Sequence, residues 1–241
     1  MTVSLRTSDG WRYGLLGLPL AFCALPLYVL MPNLYARQWG VSLAALGAVL
    51  LAARLLDAVL DPWLGRLCDH LFARSISAVL TFGAAAALLL GLGFSAIFLP
   101  PVTEPDVLLV WAGGWLVLTY LAYSALAVAH QSWGAMLGGD ALQRSRIVAW
   151  REGLGLLGVV LASVTSTLLG VPLMLALLWL ALGLGWWAWS KAPRPKRAGH
   201  DAPTEVAPIR DAFHEQPRHC ESDRHCERSD AIHVPGSHGS P

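Results

Sequence analysis

Six stretches of this chain are each apolar over a length that crosses a hydrocarbon core, and that repetition constrains the fold more than any other feature. They run approximately over Trp11–Tyr35, Val41–Leu64, Ser75–Leu99, Val107–Leu137, Ile147–Leu169 and Val171–Trp189; a core of about 30 Å needs roughly 20 apolar residues per helix. In lipid every backbone N–H and C=O must be satisfied within the segment, so such blocks form helices. The expected fold class is all-α: six transmembrane helices in residues 1–190, then a polar tail over 191–241 that is expected to be disordered. Charged residues make up only 14% of the chain, against about 25% in an ordinary soluble domain, which excludes most soluble enzymes. No nucleophile–base pair and no metal-ligand spacing falls within the helices, so neither an enzyme nor a resident cofactor is expected.

The loops between the blocks differ in charge. One side would hold Arg6, Arg12, Arg66, Arg74, Arg144, Arg146, Arg151, Lys191, Arg194, Lys196 and Arg197, the other only Arg37. The positive-inside rule then puts both termini in the cytoplasm of a multi-pass protein of a bacterial inner membrane, as an even number of helices requires. The first block is long and ends in Tyr28, Met31 and Tyr35 rather than in a small-residue cleavage site, so it reads as a retained helix. Trp186, Trp187 and Trp189 before Lys191 fit an interfacial belt closing the sixth span.

The second block carries the chemistry. Between Ala53 and Gly65 it places Arg54, Asp57 and Asp61 in an otherwise apolar span, and at 100° per residue these fall with Gly65 within roughly 80° of one another. Each such charge costs about 2.5–3.5 kcal/mol at the middle of a span, so the stripe must face protein or water. Pro62 has no N–H to give the Ala58 carbonyl, leaving a free acceptor one turn from two carboxylates. Two carboxylates and a bare carbonyl suit Na⁺ or a proton relay; the alternative is a structural ion-pair cluster.

The run Ala-Arg-x-x-Asp-Ala-x-x-Asp-Pro-x-x-Gly-x-x-x-Asp, from Ala53 to Asp69, resembles the second helix of the melibiose-permease-like symporters, the glycoside–pentoside–hexuronide:cation group of the major facilitator superfamily. Tyr13-Gly14 opening the first helix and Arg144 to Gly153 opening the fifth extend the resemblance over about residues 11–190. It implies secondary transport of a small solute, such as a sugar, coupled to Na⁺ or H⁺, with Asp57 and Asp61 as ligands of the coupling cation. Arg54, one turn earlier, and Arg151, at the place of the family's sugar-site arginine, would serve the substrate or pair ions. His130 falls where the family has a helix-four acid, while helix one offers only apolar residues around Leu18 and Pro19 where the family has another. His130, followed by Gln131 and Ser132, reads either as a coupling or substrate group or as a core hydrogen-bonder. Asp69 and Arg74 resemble the superfamily's gating loop between helices two and three.

The resemblance covers one six-helix half of a two-half transporter, and a half cannot by itself enclose a solute. Its expected partners are membrane lipid, a small-molecule solute, and a separate C-terminal six-helix half or a second copy; no nucleic-acid partner is expected. A remnant without independent activity, or one part of a split transporter, is the alternative. The tail bears a near-repeat, Arg218-His219-Cys220-Glu221 and Arg224-His225-Cys226-Glu227, that resembles read-through of an interspersed DNA repeat and suggests a gene truncated after the sixth helix. The rival reading, a metal site of His219, Cys220, His225 and Cys226, lacks the usual two-residue spacer.

Overall fold

The structure, a computed structural model, describes residues 7–137 and 141–195; the near-repeat, and the tail from residue 196 onward, lie outside these. Among the described residues the chain is entirely helical apart from turns and short connections: α1 (Thr7–Gly14), α2 (Gly17–Leu25), a π-helical turn (Pro26–Leu30), α3 (Met31–Trp39), α4 (Leu43–Arg74), α5 (Ile76–Phe98), α6 (Pro105–Met136), α7 (Ala141–Val164), a second π-helical turn (Thr165–Leu169) and α8 (Gly170–Ser190). Among the described residues, five helical runs are long and apolar enough to cross a membrane: Ser8–Trp39, Leu43–Arg74, Ile76–Phe98, Pro105–Met136 and Ala141–Ser190. The protein is therefore a multi-pass membrane protein.

The count differs from the six blocks read in sequence because the last run, 50 residues long, holds two of them. Gly170 stands in it at φ 79°, ψ 171°, outside any helical region, a conformation that glycine alone adopts readily. Gly158 of α7 packs on the Leu18 backbone and Gly185 of α8 on Leu16 and Pro19. A straight helix would hold these two glycines about 40 Å apart, so the run turns back at Gly170, and α2 lies against both of its arms.

Proline shapes the first run. Pro19 cannot donate to the Leu15 carbonyl, which accepts instead from the Leu18 N–H at 3.2 Å, and the helix breaks between α1 and α2. Pro26 opens the first π-helical turn, and Gly40 closes α3 in the left-handed conformation at φ 67°.

One expected boundary moves. Residues Gly65–Arg74, read as a loop, are the last turns of α4, which ends only where Ser75 adopts extended backbone. Cys68 and Phe72 continue its buried face, and the Ser75 hydroxyl accepts from the Ala78 N–H at 3.0 Å to cap α5. Asp69 and Arg74 therefore sit on a helix end. The first residues of the expected tail are also packed: the Pro193 carbonyl accepts from Trp133 Nε1 at 3.0 Å, and Ala192 is buried.

Small residues set the packing. Gly14 and Gly17 lie against the Trp150 and Arg151 backbone, Gly93 against Thr119, and Gly83 and Gly91 against the Trp189 and Trp179 rings. A side chain at any of them would push the helices apart, so glycine is what lets helices approach where lipid gives no hydrophobic drive to association. Tyr35 Oη donates to the Ile97 carbonyl at 2.7 Å, and the Trp111, Trp179 and Trp186 indoles donate to Ala96, Ser95 and Leu80. α6 packs between α4 and α5. α4 is the least covered run: 17% of its apolar stretch is buried, against 56% for the first.

Candidate functional site

On α4, Leu46, Ala53, Asp57, Cys68 and Phe72 are buried, and at 100° per residue they fall within about 100° of one another. Asp57 thus belongs to the face turned toward α6. Arg54 and Asp61, roughly 40–60° round from Asp57, share that arc but are exposed.

The buried carboxylate is bound from two helices. Asp57 Oδ1 accepts from Ser124 Oγ at 2.8 Å and Oδ2 from Arg54 Nη1 at 2.9 Å. The Asp57 side chain is 4% exposed, that of Arg54 47%. The guanidinium also lies over two tyrosine rings, 5.7 Å from Tyr28 and 5.2 Å from Tyr120. Those rings stack on each other with centroids 6.3 Å apart. The π-helical turn opened by Pro26 carries Tyr28 to this place, and such wide turns recur at functional sites. Asp61 is exposed, and among the described residues it takes part in no hydrogen bond or ion pair.

His130 belongs to a second cluster, six residues along α6 from Ser124. Its Nε2 is 2.8 Å from the Tyr13 carbonyl, the Tyr13 hydroxyl donates back to the His130 carbonyl at 3.1 Å, and the two rings stack at 4.3 Å. Trp189 meets the His130 ring edge-on at 5.9 Å and Trp133 at 5.2 Å. The imidazole is fully buried. The residue of α6 that faces Asp57 is Ser124, and His130 is a buried hydrogen-bonder joining α1 to α6. Arg151 lies near this cluster, its backbone and Cγ against Gly17; its Nη2 and Nε donate to Glu152 Oε1 at 2.6 and 3.1 Å.

The candidate residues thus fall in three places. Arg54 and Asp57 meet, with Asp61 one turn on; His130 and Arg151 gather around Tyr13; Asp69 and Arg74 are exposed on the last turns of α4. Sequence reasoning missed Tyr28, Tyr120 and Ser124. A signal existed for two of them, since Tyr120, Tyr123 and Ser124 repeat at i, i+3 and i+4 in an apolar block, one helix face with polar tips.

A charged pair at mid-helix in a membrane protein, flanked by aromatic rings and open on one side, suits a passage for ions or polar solutes. The chain is 26% identical over 178 residues to the inner membrane symporter YicJ of Escherichia coli (strain K12), an alignment covering 71% of this chain and 36% of that relative. It therefore spans about a third of the relative's length. No solved structure matches it. The family model for MFS/sugar transport proteins matches residues 10–184, nearly three quarters of the chain, and the protein therefore belongs to the MFS/sugar transport protein family.

Proposed function

We propose that this chain forms one half of a secondary transporter for a small solute, such as a sugar, with Asp57 and Asp61 binding the coupling Na⁺ or H⁺. The observation that carries this reading is the contrast along one turn of α4: a buried carboxylate already hydrogen-bonded from α6, followed by an exposed one without a partner among the described residues. A bare carboxylate at mid-span costs about 2.5–3.5 kcal/mol if it faces lipid. The open face of α4 is thus best understood as one wall of a polar cavity, with Arg54 presented to the solute. The opposite wall would come from a second six-helix body. The reversal at Gly170 supports counting the 50-residue run as two spans, six in all, and the basic loops support cytoplasmic termini. No observation favours an enzyme.

The test is uptake. In a chain completed by a C-terminal half, Asp57→Asn and Asp61→Asn should each abolish cation-dependent accumulation of the transported solute while the protein remains in the membrane. Asn keeps the size and one acceptor oxygen but removes the charge, and full uptake by both variants would end the coupling reading.

A further inference from the structure

Resting on the cation site just proposed, we infer that Arg54 is the built-in competitor of the coupling cation, occupying Asp57 until a small cation displaces it. Asp57 Oδ2 is held by the guanidinium at 2.9 Å while Oδ1 is held by Ser124. A cation bound between Asp57 and Asp61 needs oxygen ligands, and the guanidinium stands on one of them. Two positive charges sharing one carboxylate oxygen would stand on the order of 4 Å apart, so binding of one expels the other.

The structure also supplies somewhere for the guanidinium to go. Arg54 already lies over the Tyr28 and Tyr120 faces at 5.7 and 5.2 Å, an attraction that survives loss of the carboxylate. The Tyr120 hydroxyl is buried and has no hydrogen-bond partner, which a native structure seldom leaves unexplained. A guanidinium has five N–H donors, and one released from Asp57 supplies the missing donor while its half-exposed side chain has room to move. Cation entry thereby becomes a movement of Arg54 from Asp57 onto the tyrosine pair.

Every group in this exchange lies on the present chain, so the purified 241-residue protein suffices, titrated calorimetrically with Na⁺ and Li⁺ against a choline control. Arg54→Gln should bind Na⁺ roughly three- to tenfold more tightly than the parent, the factor a half-buried ion pair is worth. Arg54→Lys keeps a competing charge and should stay within about twofold of the parent. Tyr120→Phe alters no ligand of the cation and keeps the ring face, but removes the hydroxyl that accepts from the displaced guanidinium, and should weaken Na⁺ binding. Unchanged or weaker binding by a folded Arg54→Gln, with Asp57→Asn abolishing it, overturns the competitor and leaves the cation site standing. Absence of Na⁺ and Li⁺ binding in both parent and Arg54→Gln removes the cation site and the competitor with it. If Arg54→Gln fails to give a monodisperse protein, Tyr120→Phe decides: weaker binding upholds the exchange, unchanged binding refutes it.

Discussion

One turn of α4 separates Asp57 from Asp61, yet the two should answer the same substitution differently. Asp57 accepts from Ser124 and Arg54, so Asp57→Asn weakens both bonds and leaves the guanidinium without its counter-charge. Thermal or denaturant unfolding should show a loss of about 1–3 kcal/mol, below the value for a fully buried pair because Arg54 is half exposed. Asp61→Asn breaks no bond among the described residues, and its stability should stay within about 0.5 kcal/mol of the parent. Equal destabilisation of both would mean that Asp61 has a partner the structure does not show. The charged stripe was legible from spacing alone, since helical periodicity is local. Which carboxylate is buried was not, because that depends on Ser124, 67 positions away.

At the scale of elements, the close approach of α2 to α7 rests on glycine from both sides, Gly17 against Arg151 and Gly158 against Leu18. A Cβ at Gly158 would overlap the Leu18 backbone, whereas Gly153 on the same helix has nothing within 4 Å. Gly158→Ala should therefore cost about 1–3 kcal/mol in unfolding measurements as the helices are forced apart. Gly153→Ala should be neutral or slightly stabilising, since Ala is the better helix former. Similar effects at both sites would refute the packing argument. Gly158 and Ala162 stand four apart in the sequence, the spacing of a small-residue contact between membrane helices, and both are buried. That the contact is with Leu18, and that Gly185 of α8 reaches the same stretch of α2, was not legible there, because spacing identifies a smooth surface without identifying what lies on it.

For the whole molecule the decisive quantity is the number of crossings. In a chain with Cys220 and Cys226 replaced by Ser, leaving only the buried Cys23 and Cys68, cysteines introduced one at a time at Glu104 and Leu168 should react with a membrane-impermeant maleimide added from the periplasm. A cysteine at Gly199 should react only after lysis. Periplasmic labelling at Gly199 together with protection at Leu168 would mean that the 50-residue run crosses once, giving five spans. Labelling of Glu104 from the cytoplasm alone would reverse the orientation drawn from the basic loops.

Length and hydropathy alone established that these segments are helices and cross a membrane, and that α4 carries the charge. Backbone hydrogen bonds close within each segment, and the absence of water leaves no alternative to helix. Tertiary structure decided the inward faces: Asp57 against α6 while Asp61 stays open, His130 locked to Tyr13 across 117 positions of sequence, and Arg54 between two tyrosines. In an aqueous fold hydropathy would have marked much of this, because buried and exposed surfaces differ in polarity. In lipid both surfaces of a helix are apolar, so the pattern that announces each span is silent about which side of it meets another helix.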